Sequence, residues 1–171
     1  MEILAAIRAL TAAAFILAIP ILAAAQSVPK DLAVKLTIKG CASTSVIDTS
    51  AGTYIRTGVD GKRWIVPARL TSGEKRWLDT LIADSGVLNF PPKMPVAPSQ
   101  LSEPGPTEYA LDVRRSGQQR TFTFFELPTV GIVEPPGYPL YARLVMLAND
   151  IERIFTAMSG VKKLPPAGYC L

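Results

Sequence analysis

The stretch Thr71–Pro92, TSGEKRWLDTLIADSGVLNFPP, carries a helix together with the signals that start and stop it. Thr71 followed by Glu74 has the spacing of a capping box, in which each side chain satisfies a backbone N–H that the first helical turn leaves without a partner. Trp77, Leu78, Leu81 and Ile82 recur at helical spacing, so the sequence predicts an apolar face packed on a core, with Glu74, Lys75, Arg76, Asp79 and Asp84 at other positions. Gly86 supplies the left-handed conformation that ends a helix, Val87, Leu88 and Phe90 form an apolar tail, and Pro91-Pro92 forbids continuation. A helix bounded this firmly divides the chain into two sets of strand patterns.

Ahead of it, Leu32, Val34, Leu36 and Ile38 alternate with Ala33, Lys35, Thr37 and Lys39, the period of a strand with one buried face. The Ser- and Thr-rich segment Ala42–Gly52 reads as a loop whose tip exposes Val46 and Ile47, two apolar side chains available to a partner. Thr53–Val59 and Lys62–Arg69 flank Asp60-Gly61, a dipeptide suited to a type I′ hairpin turn. Pro67 cannot donate to a ladder, so the second arm lies at a sheet edge or has left the sheet by that point.

Behind the helix, residues 91–106 hold six prolines and read as a polyproline-like surface loop, with Met94 as a candidate contact residue. Thr107–Arg114 and Arg120–Glu126 form a second hairpin through Ser116-Gly117, with Tyr109, Leu111 and Val113 on one side of the first arm and Phe122 and Phe124 on one side of the second. Pro139 suits the first turn of a long helix whose stripe runs Leu140, Leu144, Leu147, Ile151, Ile154, Met158 and which Gly160 ends. Such a stripe fits a helix covering a sheet, and it also fits a seam between chains. The fold class is α+β: a mainly antiparallel sheet of about four to five strands, two helices packed on one face and the other face partly open. The two halves resemble two rounds of one hairpin-then-helix plan.

The apolar fraction of 49% is inflated by the first 25 residues, in which only Glu2 and Arg8 are charged. The small residues Ala23-Ala24-Ala25 follow the apolar run, and 1–25 reads as a cleaved signal peptide rather than a retained anchor, leaving 26–171 as one domain. The expected compartment is periplasmic or secreted, without stable membrane insertion after cleavage. There Cys41 and Cys170, an even pair, are expected to form a disulfide, and a loop of that length implies about 4 to 5 kcal/mol in the chain-entropy treatment. The net charge of +4 is scattered as isolated pairs such as Lys62-Arg63 and Arg114-Arg115, without the dense basic stripe that nucleic-acid binding requires.

The chain contains no histidine, which excludes Ser-His and Cys-His nucleophiles and any imidazole metal site. No glycine-rich phosphate loop appears. Asp48, Asp60, Asp79, Asp112, Glu103, Glu108, Glu126 and Glu134 leave carboxylate-only hydrolysis open, but none stands in a recognisable pair. The expectation is a non-enzymatic interaction domain that uses no cofactor or metal and engages another exported protein. Val46, Ile47, Met94 or the open sheet face would form the contact. The alternatives are a carboxylate hydrolase and a structural envelope protein.

SGVLNFPP after the amphipathic helix, then YALDVRRSGQQRTFTF, then YPLYARLVMLANDIERI, is similar to the plan of emfourin-like protease inhibitors and related bacterial envelope domains. The likeness runs from about Asp60 to Ile154 and rests on Ser85, Gly86, Phe90, Pro91, Tyr109, Leu111, Val113, Gly117 and Pro139. The chain departs from the pattern in Val87 and Leu88, where bulkier aromatics are usual, in its longer proline loop and in its C-terminal cysteine. The resemblance implies the α+β fold and a protease as the kind of partner.

Overall fold

A computed structural model describes residues 27–91, 107–126 and 138–165. The leader, Met94, Glu103, Glu134 and Cys170 lie outside them. Six strands form one antiparallel sheet: β1 (Ala33–Lys39), β2 (Ser43–Asp48), β3 (Thr53–Gly58), β4 (Arg63–Pro67), β5 (Glu108–Arg115) and β6 (Gln118–Phe125), in the order β4-β3-β2-β1-β5-β6. The helices are α1 (Ser72–Ser85), α2 (Tyr138–Thr156) and the short α3 (Ser159–Lys162). The first four strands run as a meander, and the β5–β6 hairpin adds to the free side of β1.

The sheet has six strands where four to five were expected, because Ser43–Asp48 is a strand and not a loop. Its Thr, Val and Ile suit a pleated surface, and Ile47 is 0% exposed, paired with Leu36 on one side and Tyr54 on the other. Ile47 is therefore a core residue and offers nothing to a partner at a loop tip. Val46 points to the opposite face between Thr37 and Ile55 and is half-buried. The turn that follows is fixed by Asp48, whose Oδ1 accepts hydrogen bonds from the amides of Ser50 (3.0 Å) and Ala51 (2.9 Å) and from the Ser50 hydroxyl (2.6 Å).

Both hairpins form. In the first, only Gly61 takes a positive φ (75°), and its amide donates to the Gly58 carbonyl (3.0 Å). Asp60 stays at negative φ and accepts the Lys62 amide on its side chain, so the turn is not the expected type I′. In the second, Ser116 (φ 51°) and Gly117 (φ 76°) are both left-handed, which is the type I′ signature.

α1 begins as its sequence dictates. The Thr71 hydroxyl accepts the Glu74 amide (3.2 Å), and Glu74 accepts the Thr71 amide (2.7 Å). Gly86 closes the helix at φ 65°, and a one-turn 3-10 helix, Val87–Asn89, brings Phe90 edge-on to Phe122 at 6.2 Å. Leu78 and Ile82 are buried, but Trp77 is 41% exposed and sits outside the packed face. Its place at the core is taken by Asp79, which is buried and held by Arg115 of β5 through Nε–Oδ1 (2.5 Å) and Nη2–Oδ2 (3.3 Å). α2 buries Leu144, Leu147, Ile151 and Ile154 as its stripe requires, yet it ends at Thr156. Met158 precedes α3, and Gly160 lies within α3, where a Cβ would come within 2.7 Å of Val66 Cγ1.

Every fully buried strand side chain belongs to one face: Val34 and Leu36, Ile47, Tyr54, Leu111 and Val113, and Phe124. This inner face joins the buried sides of α1 and α2 in one core. On the other face no side chain of the six strands is fully buried.

Candidate functional site

The outer face is ordered by register. Reading across the strands, Ile65, Ile55, Val46, Thr37, Ala110 and Thr123 stand side by side. Three adjacent strands thus line up aliphatic side chains at the β4 end of this row, and Ile65 is 60% exposed. Close cross-strand neighbours act as one contact surface. The flanking row, Pro67, Thr53, Asp48, Lys35, Asp112 and Thr121, is largely polar and charged. An apolar strip bordered by polar rows is the arrangement of an interaction surface with a polar rim. Val46 belongs to this strip, so one of the expected contact residues lies on it. Ile47 lies on the other face, and Met94 is outside the described residues.

The inner face carries a polar cluster that sequence reasoning did not single out. The Ser45 and Tyr54 hydroxyls are 3.0 Å apart, and Arg56 Nη2 donates to the Tyr54 hydroxyl at 3.0 Å. Arg56 Nη1 donates to the Pro165 carbonyl (2.8 Å), tying the chain after α3 to β3, while its buried Nε has no partner. Further along the same face, Tyr109 stacks on Phe124 at 5.1 Å and its hydroxyl reaches Asn149. Burial, then the charges of Glu126 and Glu152, push the Tyr109 phenol up to about 12. Burial also raises the Glu152 carboxyl, against the pull of Arg56 and with the repulsion of Glu126. Ser45 falls in the segment read as a loop, and Arg56 in a hairpin arm whose faces its sequence does not separate, which hid them.

Five of the carboxylates considered for catalysis have structural occupations. Asp48 fixes the β2–β3 turn, and the Ser50 hydroxyl and the amides of Ala51 and Ser50 hold it below the usual carboxylate range. Asp60 caps the first hairpin, Asp79 binds Arg115, Asp112 accepts from the Gln119 amide (3.0 Å), and Glu108 lies 3.7 Å from Lys39. Asp31, absent from the expected list, receives the amides of Ser116 (2.9 Å) and Gly117 (2.6 Å) and so clamps the second hairpin turn. Among the described residues no group of three acids or cysteines is placed to hold a metal ion. A groove of about 350 Å³ between α1 and α2 is lined by Leu81, Met146 and Leu147, with Asp84, Asp150 and Arg143 at its rim.

Cys41 sits in the tight turn between β1 and β2 and is not a free thiol. Cys170 lies outside the described residues, so their pairing stands as a proposal. No helix among the described residues is long and apolar enough to cross a membrane. The chain matches no protein-family model, and no curated protein matches it.

Proposed function

We propose that the chain is a non-enzymatic interaction domain of the bacterial envelope that binds another exported protein through the outer face of its sheet. The observation that carries this reading is the register-aligned strip Ile65–Ile55–Val46, an aliphatic surface on a face where no side chain is fully buried. A sheet face needs no such strip when it meets only water, since polar side chains suit it there. The likeness to emfourin-like inhibitors supports a protease as the partner, and the leader supports a periplasmic or secreted location. In that compartment a Cys41–Cys170 disulfide would join the chain's end to the β1–β2 turn, and peptide mapping without reductant would yield the two cysteines in one linked fragment.

The test is affinity capture from the native envelope, with inhibition assays against co-exported metalloproteases, using the wild-type domain and a Val46→Lys/Ile65→Lys variant. The expected result is a retained or inhibited partner that the variant loses while its circular dichroism is unchanged. Absence of both a partner and inhibition with the wild-type domain would reject the reading. A second reading, carboxylate hydrolysis, draws on one observation: the raised carboxyl of Glu152 shares the field of Glu126 beside Tyr109. It requires Glu152→Gln to abolish a hydrolytic activity of the purified domain.

A further inference from the structure

The hydrogen-bond phase of β4 decides what its open side presents. The Ala68 amide donates to the Gly52 carbonyl (2.8 Å), and the Gly58 amide donates to the Lys62 carbonyl (2.9 Å). With the register running from Thr53↔Pro67 to Thr57↔Arg63, antiparallel alternation assigns the ladder bonds to the Tyr54/Val66 and Arg56/Trp64 pairs. Arg63, Ile65 and Pro67 therefore occupy the intervening positions, where main-chain groups point away from β3. Pro67, which has no N–H, fits such a position without loss. Gly160 of α3 approaches the Pro67 carbonyl, so the open part of the edge is Arg63–Ile65. The outward N–H and C=O groups of Arg63 and Ile65 make no backbone bond outside the sheet ladder among the described residues.

The side chains around this edge specify what it fits. Ile65 is exposed and belongs to the outer-face strip. Lys62, Arg63 and Arg69 are exposed and make no ion pair among the described residues, while Lys62 lies over the Trp64 ring at 5.3 Å. Asp60, the acid of the adjoining turn, is engaged by the Lys62 amide. The β6 edge offers an informative contrast. The Glu126 amide donates to the Thr107 carbonyl (2.8 Å), and the register then turns the main chain of Gln119, Thr121, Thr123 and Phe125 outward. Gln119, Thr121 and Thr123 carry uncharged polar side chains, and Phe125 at the strand's end is paired with Glu108 and followed by Glu126, acids that disfavour an acidic strand beside it.

We propose that the β4 edge accepts an extended, acidic segment of the partner protein as a seventh strand. Arg63 and Ile65 supply the main-chain hydrogen bonds, Ile65 seats an apolar partner side chain, and Lys62, Arg63 and Arg69 meet its carboxylates. The inference rests on the outer-face reading and names the partner's chemistry.

The test uses fluorescence anisotropy with the labelled peptide Glu-Glu-Thr-Val-Thr-Val-Thr-Glu-Glu and its Lys-ended analogue. Ile65→Pro removes the outward N–H while leaving the β3 ladder intact, and the expected loss for the acidic peptide is about tenfold. Thr123→Pro, the same change on the β6 edge, leaves binding unchanged. In the wild-type domain, amide exchange at Arg63 and Ile65 slows when the acidic peptide is added, a readout independent of how any variant folds. Equal or tighter binding of the Lys-ended peptide overturns the proposal, as does unchanged exchange at these amides or a loss confined to Thr123→Pro. A captured partner that is lost with Val46→Lys/Ile65→Lys but not with Ile65→Pro removes the edge pairing alone and leaves the outer-face reading standing.

Discussion

The two faces of the sheet are built from the same strands by strict alternation, yet they hold different kinds of residue for different reasons. On the inner face, Ile47, Leu36 and Leu111 form a continuous row with no exposure, and α1 and α2 lie over it. On the outer face, the neighbours of those residues in sequence are Val46, Thr37 and Ala110, aligned in the next row with none fully buried. A single step along the chain thus moves a side chain from the core to a surface able to meet a partner. The inner face fixes the fold, and the outer face can vary without threatening it.

That contrast can be broken or sharpened at single positions. Ile47→Ala should cost about 4 kcal/mol, since it leaves a void in the middle of the packed row, and a denaturant midpoint little changed from wild type would show that the row is not a core. Asp79→Ala should cost roughly 3 kcal/mol, because it strands Arg115 beneath α1; Asp79→Leu combined with Arg115→Met should recover much of the loss in the same titration. Thr71→Ala should cost about 1 kcal/mol by removing the capping box that starts the covering helix. The inner face should also give an alkaline signature. The Tyr109 phenol is raised from 10.0 to about 12, so its contribution is whole below pH 10 and is lost as pH climbs from 10 through 12. Melting temperatures of Tyr109→Phe measured across that window should lack this component of the decline. Ile65→Thr on the outer face should change stability by no more than about 0.5 kcal/mol, measured alongside Ile47→Ala.

Much of the architecture was legible in the sequence because period and punctuation agreed. The capping box, Gly86 and both hairpins follow from local chemistry alone, while Pro67 narrowed its arm to a sheet edge or an exit from the sheet. The second strand was not legible, since Ser45 occupies an inner-face position and is satisfied there by the Tyr54 hydroxyl, a partner nine residues away that no local pattern reveals. Trp77 and Asp79 exchanged their expected surroundings for a related reason: Arg115, on a strand beyond the proline-rich segment, makes the helix face it meets accept a carboxylate. Of the candidate surface, Val46 was named from sequence, but its alignment with Ile55 and Ile65 required the register. The directions of the β4 main-chain groups required the ladder's phase. Both are properties of pairing between strands, and a chain read alone contains only the strands.

The central strand β1 has one neighbour close in sequence, β2, and another, β5, that arrives only after α1 and the proline-rich segment, joining Ala33 to Arg114. Closing that loop carries an entropic cost before any β1–β5 contact repays it. The meander β1–β4 is therefore expected to assemble early, with β1 waiting as a temporary edge, and the C-terminal hairpin to dock late in the folding transition. Substitutions in β5 should then act chiefly on the unfolding rate, while those between β1 and β2 slow folding itself.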